Sequence, residues 1–219
     1  DVIDAYGADA MRLYELFMGP LEQVKPWQMT GVEGVSRFLH RVWRLAVDEQ
    51  TGEIQSRLSN ADATSETELN KTLHKTIKKV IEDTEGMRFN TAIAQMMVFV
   101  NEATSSKTLP RSILEPFVRL LAPYAPHLAE EIWARLNCEG LVSIADAPNF
   151  DPALCTEDTI KLIIQVNGKK RDELDVAKSA DKAELEKLAL AAPNAQKLMD
   201  GKDPKRVIVV PGRLVNIVV

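Results

Sequence analysis

Three arginines, Arg37, Arg41 and Arg44, recur at helical spacing in the stretch GVEGVSRFLHRVWRLAVDE, and a second basic run, Lys169-Lys170-Arg171, directly follows the turn dipeptide Asn167-Gly168. Guanidinium and ammonium groups pair with phosphate oxygens, so holding an anion is the chemistry these residue types offer. Acid–base and nucleophilic chemistry have no comparable foothold. There is no Gly-rich phosphate loop, and no Ser/His/Asp, Cys/His or paired-carboxylate set stands out as a nucleophile with its base. Cys138 and Cys155 are too few and too isolated for a zinc set, and His40, His74 and His127 lack ligand-spaced companions. They read as structural thiols and ordinary imidazoles, with no metal or cofactor held by these residues.

The arginine set belongs to a long amphipathic helix. At 100° per residue, Arg41 and Arg44 fall within about 40° of Arg37, whereas Phe38, Leu39, Val42, Leu45 and Ala46 cluster on the opposite side. Taken alone, such a face is a solvated one. Charge is divided unevenly along the chain: residues 159–219 carry twelve Lys and Arg against eight Asp and Glu, a net +4, which leaves −9 for residues 1–158. No apolar run approaches a membrane span and no secretory signal opens the chain, so the protein reads as cytosolic, with no membrane partner.

The helical region is organised around LLAPYAPHLAEEIW, residues 120–133. Leu114, Phe117, Val118 and Leu121 form one apolar stripe that must stop before Pro123, and Pro126 suits the first turn of a second helix with Leu128, Ala129, Ile132, Trp133 and Leu136 inward. Glu130 and Glu131 sit early enough to favour the positive end of that helix. Upstream, Asp9 lies near the start of a helix carrying Met11, Leu13, Leu16 and Phe17. Residues 50–65 are polar and read as a poorly ordered connection, and helix resumes near Ser65 with Leu69, Leu73, Ile77, Val80 and Ile81 inward and Lys71, Lys75 and Lys78 outward. Gly86 ends it, and Asn90 or Thr91 is the expected cap of the next helix. Residues 138–158, with Gly140, Pro148 and Pro152, read as a linker between domains.

From Thr159 the period changes to two. Ile160, Leu162, Ile164 and Val166 alternate with polar residues, Asn167-Gly168 turns the chain, and Leu174 and Val176 return. A plain two-residue turn would set Leu174 opposite Lys161 on the wrong face, so a three-residue connection or a bulge is required to pair Leu162 with Leu174. A helix over about 181–191, a shorter one opened by Pro193, turns at Asp200-Gly201 and Pro211-Gly212, and two further strands complete a ββααββ order. Lys205, Arg206 and Arg213 lie near the turns of those strands, and with Lys169, Lys170 and Arg171 they give this part its basic character. The fold class expected is mainly α: a helical bundle followed by a small α+β domain with its helices on one face of the sheet.

Two prolines three residues apart between two apolar stripes resemble the closing helices of the anticodon-binding bundle of class I aminoacyl-tRNA synthetases. Tyr6-Gly7-Ala8-Asp9-Ala10-Met11-Arg12-Leu13 looks like the sequence after the KMSKS-type loop in their leucine, isoleucine and valine group. GPLEQVKPW followed by GVEGVSRFLHRVWRL, and QVNGKKR together with VIVVPGRLVNIVV, are similar to the bacterial leucyl-tRNA synthetase family in particular. Pro148 is followed by Asn149 and Phe150 where that family usually carries Trp-Pro.

The resemblance implies a division into 1–18, the end of a connection from a catalytic domain; 19–137, an anticodon-binding-type bundle; 138–158, a linker; and 159–219, a C-terminal tRNA-binding domain. It further implies a ligase that esterifies leucine to tRNA(Leu) using ATP and Mg, on a catalytic domain of the same chain. Its HIGH and KMSKS signatures are not among these residues, so the 219 residues read as an inactive fragment that ends naturally. In that setting Arg37, Arg41, Arg44, Lys169, Lys170, Arg171, Lys205, Arg206 and Arg213 become tRNA-binding candidates, with the terminal domain touching the elbow and long variable arm. The rivals are the same region of an isoleucyl- or valyl-type enzyme, and a helical interaction scaffold without RNA binding.

Overall fold

The computed structural model describes residues 1–60, 67–156, 159–178, 180–199, 204–210 and 212–219, and the chain divides into two compact units, Asp1–Cys155 and Thr156–Val219. The first unit is helical. Helix α1 (Val2–Tyr6) passes through Gly7, at φ 86°, into α2 (Ala8–Phe17), which packs on α3 (Met29–Ala46). A Cβ on Gly31 would lie 2.4 Å from Tyr14 Cε2, so only glycine allows α3 this close to α2. The Tyr14 hydroxyl accepts from Gln28 N–H at 2.8 Å and its ring meets Trp27 edge-on at 4.8 Å, which pins the 18–28 loop.

Helices α4 (Thr67–Glu85) and α5 (Phe89–Ser105) form an antiparallel pair, and α6 (Arg111–Leu121) and α7 (Pro126–Arg135) close the bundle. Leu114, Phe117, Val118, Leu121, Ala129, Ile132, Trp133 and Leu136 are all buried as their spacing requires, and Phe99 stacks on Phe117 with centroids 4.5 Å apart. Helix α7 has Pro126 in its first turn but no cap from its own strand of chain. The cap comes from α2. Asp9, 9% exposed, accepts from His127 N–H at 3.4 Å and Leu128 N–H at 2.8 Å, and also contacts His127 Nδ1 at 2.8 Å. Arg12 Nε donates to Pro123 O at 2.9 Å from the same helix.

Four local expectations need correction. Residues 50–60 are ordered, since Asp48 Oδ1 accepts from Gln50 and Thr51 N–H, Val47 bridges Ile54, and β1 (Leu58–Ser59) pairs in parallel with β2 (Leu109–Pro110); residues 61–65, including the expected helix start at Ser65, lie outside the described residues. Neither Asn90 nor Thr91 is the N-cap of α5, because the helix already starts at Phe89 and Thr91 instead donates to the buried Asp83 at 2.6 Å. Lys71, Lys75 and Lys78 do not line a solvated face: all three are half-buried, and the 3₁₀ turn Pro152–Cys155 packs on α4, with Lys78 6.0 Å from the Phe150 ring centroid.

The fourth correction concerns the supposed linker, whose 138–155 portion is folded onto the bundle. Glu130 accepts from Val142 and Ser143 N–H, both at 3.0 Å, Trp133 Nε1 donates to Glu139 O, and Asp151 N–H donates to His74 Nδ1. Burial pushes the Glu130 carboxyl up, but the donors at Ser143 and Val142 win and hold it below its ordinary range. Glu130 therefore serves the turn Val142–Ile144, not merely the dipole of its own helix.

In the second unit, β3 (Thr159–Val166), β4 (Lys169–Ala177), α8 (Lys182–Ala191), α9 (Pro193–Met199), β5 (Arg206–Val210) and β6 (Leu214–Val218) follow the expected order. The sheet runs β4-β3-β6-β5, with β3 and β6 parallel. Leu162, Ile164, Val166, Val176, Val215 and Ile217 bury against Leu185, Ala189 and Ala195 on one face. Asn167 and Gly168, at φ 50° and 78°, form a two-residue turn, and a bulge between Ile164 and Gln165 restores parity so that Leu162 opposes Leu174. Asp200, Gly201 and Pro211 of the expected turns lie outside the described residues.

Two side chains allow the packing to be tested. Asp9→Ala leaves two N–H groups of α7 without their acceptor and is expected to cost about 1–2 kcal/mol, read as a lower urea midpoint; an unchanged midpoint would show that the cap contributes nothing. Asp83 is 3% exposed; burial pushes its carboxyl up, yet hydrogen bonds from Lys79, Thr91 and Arg88 and the Lys79 charge hold it below its ordinary value of 3.8. A carboxyl depressed by folding stabilises fully above its unfolded pKa and loses that contribution as pH falls through the folded one. Asp83→Asn is therefore expected to destabilise by about 1.5–3 kcal/mol at pH 7, with its deficit against the parent shrinking steadily below about pH 4. A pH-independent deficit in urea titrations would contradict this.

Candidate nucleic-acid interface

Helix α3 presents the first cationic set. Its buried side is Val32, Val35, Phe38, Leu39, Val42, Leu45 and Ala46, which leaves Arg37 and Arg44 exposed and Arg41 half-buried. Arg37 lies 3.9 Å from Glu33 and Arg44 4.0 Å from Glu49, both at the outer limit of an ion pair and both open to water. Such pairs neutralise little. The structure separates the three arginines by surroundings: Arg41 and Arg44 line a cleft of about 300 Å³ with Leu45, Arg57 and Thr104, and Arg37 does not line it. Arg57 escaped sequence reasoning because it sits in a segment without periodicity; its placement depends on the Val47–Ile54 bridge and the β1–β2 pair.

The second set is built by strand register. Val166 pairs with Lys169 across the turn, Val166 also neighbours Ile217, and Val218 pairs with Arg206, so Lys169, Lys170, Lys205 and Arg206 occupy one end of the sheet. Asn167 Oδ1 accepts from Val219 N–H and Asn216 Oδ1 from Gly168 N–H, which ties the tip to β6. Arg171 is the extra residue of the bulge and is exposed, and its carbonyl accepts from Asn194 Nδ2. Arg213, beside the Leu214–Ile163 pairing, stands at the other end. Register thus groups four of the six cations named in this unit and leaves Arg213 apart.

The tip is not uniformly free to meet an anion. Glu173 accepts from Lys170 at 2.6 Å and Lys161 at 3.0 Å, and these hydrogen bonds, with the two charges, hold its carboxyl at about 2. All three side chains are on the surface, so water screens the interaction.

Elsewhere, a 660 Å³ depression is lined by residues including Tyr6, Asp9, His40, Trp43, His127 and Leu128, but the Asp9 carboxylate there is engaged by α7. Among the described residues no group of three or more His, Cys, Asp or Glu could hold a metal ion, and no helix is long and apolar enough to cross a membrane. Burial pushes both thiols, Cys138 and Cys155, above their ordinary value, the opposite of an activated nucleophile.

A family model described as the anticodon-binding domain of tRNA ligase matches residues 66–187, more than half of the chain. The chain belongs to this family. The match begins just before α4 and runs through most of α8, so it takes in both the closing helices and the first hairpin of the sheet. A LeuRS from Agrobacterium radiobacter, crystallised in a ternary complex with tRNA and LeuAMS, matches at 30% identity with a TM-score of 0.69, over 99% of this chain and 29% of that one. The chain therefore spans less than a third of that protein. The resemblance read from the sequence, to the C-terminal part of a leucyl-tRNA synthetase, is supported by both comparisons.

Within this anticodon-binding family member, Glu173 is a direct handle on the tip. Glu173→Gln removes the partner of Lys161 and Lys170 and is expected to raise the salt concentration at which the chain elutes from immobilised heparin. Unchanged elution would exclude these two lysines from the cationic surface.

Proposed function

We propose that this chain is the tRNA-binding C-terminal region of a leucyl-tRNA synthetase, which positions tRNA(Leu) for ATP-dependent leucylation on a catalytic domain elsewhere in the enzyme. The observation that carries this reading is the match over 99% of the chain to a LeuRS crystallised with tRNA. The electrostatics agree with it: basic residues outnumber acidic ones after residue 158, four of them, Lys169, Lys170, Lys205 and Arg206, are gathered by strand register at one end of a small sheet, and the acidic remainder keeps arginines on one helix face. RNA is recognised largely by shape, phosphates and 2′-hydroxyls, for which dispersed Lys and Arg suffice. ATP and Mg belong to the catalytic domain in this scheme, and leucine activation and charging are not assigned to these 219 residues.

Changing Lys169, Lys170 and Arg171 together to Ser in the complete enzyme is expected to weaken tRNA binding and to flatten its salt dependence by roughly one log-log unit for each phosphate no longer neutralised. Leucine-dependent ATP–pyrophosphate exchange should stay at the parent rate. If tRNA affinity and salt slope were those of the parent, the sheet unit would not be an RNA-binding element.

A further inference from the structure

We propose that Arg41, Arg44 and Arg57 form a preorganised site for one phosphate group of the bound RNA, a deepening that rests on the tRNA reading above. Arg41 and Arg44 stand one turn apart on α3, and Arg57 reaches the same 300 Å³ cleft from the ordered segment after the Val47–Ile54 bridge, with Thr104 of α5 completing the lining. Arg57 is held in place: its Nη1 donates to Ala103 O at 2.8 Å and Ser106 O at 3.0 Å. Those acceptors are carbonyls at the C-terminal end of α5, whose partial negative charge favours the guanidinium there and orients it while its net charge remains.

The charge balance of the cleft is what points to an anion. Burial lowers Arg57 from its ordinary value, no ion pair to it is found among the described residues, and an arginine remains protonated regardless. Arg41 has no ion pair among the described residues, and Arg44 has only the 4.0 Å contact to Glu49. Three arginines lining one cleft bring like charges near one another, a repulsion that an anion would relieve. A phosphate matches their forked donors, while the Thr104 hydroxyl, which donates to Val100 O at 2.6 Å, only lines the cleft. Arg37, on the same helix but not lining the cleft, serves as the internal control.

The test follows the arginine Nε–Hε signals of the 219-residue chain while sodium pyrophosphate is added at constant ionic strength. The signals of Arg41, Arg44 and Arg57 should move together and saturate, while that of Arg37 should not. Arg41→Gln, which leaves the packing of the core intact, should weaken pyrophosphate binding on the order of tenfold, and Arg57→Lys should weaken it with the charge retained, by loss of the fork. A tRNA transcript should compete with pyrophosphate, and the Arg41→Gln chain should bind the transcript with a salt slope lower by about one unit.

Non-saturating shifts, or shifts equal at Arg37, would overturn the site even if the chain binds tRNA normally. Saturable pyrophosphate binding without competition by RNA would overturn the assignment of its ligand as an RNA phosphate. Saturation in a chain that binds no tRNA would sink the tRNA reading while leaving an anion site in place.

Discussion

The helical unit depends on a single carboxylate contributed from far along the chain. Helix α7 begins at a proline, which supplies no N–H, and the residue before it, Ala125, has no side chain with which to cap the N–H groups that follow. Asp9 accepts from two of them, and Arg12, on the same helix, ties down the carbonyl of Pro123. The proline corner and the second helix of the chain are therefore one structural object: proline fixes where the chain turns, and α2 fixes the direction in which α7 leaves. The buried stripe of α7, ending at Trp133, then lands on α6, and Glu130 on its other side collects the 138–155 segment.

The two units are stabilised by different means. The helical unit has buried polar ties: Asp9 at the corner, Asp83 joining α4 to the start of α5, and the Thr84–Tyr124 hydroxyl pair at 2.5 Å between α4 and the corner. Each is a polar group largely removed from water and met by hydrogen-bond partners on another element, which favours one helix arrangement over others with the same apolar burial. The sheet unit has an aliphatic core, and its described lysines and arginines remain on the surface, where they are available to a ligand. In the sheet unit stability and binding are thus assigned to different residues, so its cationic positions can be changed without loss of the fold.

Much of this was legible in the sequence, because periodicity reports burial directly. The α6 and α7 stripes, the helical arginine face and the need for either a bulge or a three-residue connection in the first hairpin follow from counting residues, since a plain two-residue turn would leave Leu174 on the wrong face. Illegible were the places where a side chain works for a distant element. Asp9 looked like a local first-turn acid of its own helix, and Glu130 like another. Thr91 looked like a cap, but Asp83 of the preceding helix took its hydroxyl. Arg57 lay in a polar stretch with no pattern at all, and the Val47–Ile54 bridge, the pairing of β1 with β2 and its bonds to the end of α5 give it a place. The lysines of α4 matched a solvated stripe by spacing, but spacing carries no information about a later segment folding over them.

The order of strands in the sheet bears on how the second unit is made. Strand β6 lies between β3 and β5, in parallel with the former, so the central ladder joins segments separated by two helices and another strand. Before β6 leaves the ribosome, the edge of β3 that β6 will cover is unpaired, in addition to the outer edge of β4. Pairing across such a sequence separation is slow. The nascent chain thus exposes an adhesive strand edge for the whole time needed to synthesise residues 178–213, and it is in that interval that chaperone capture or intermolecular strand pairing competes with folding.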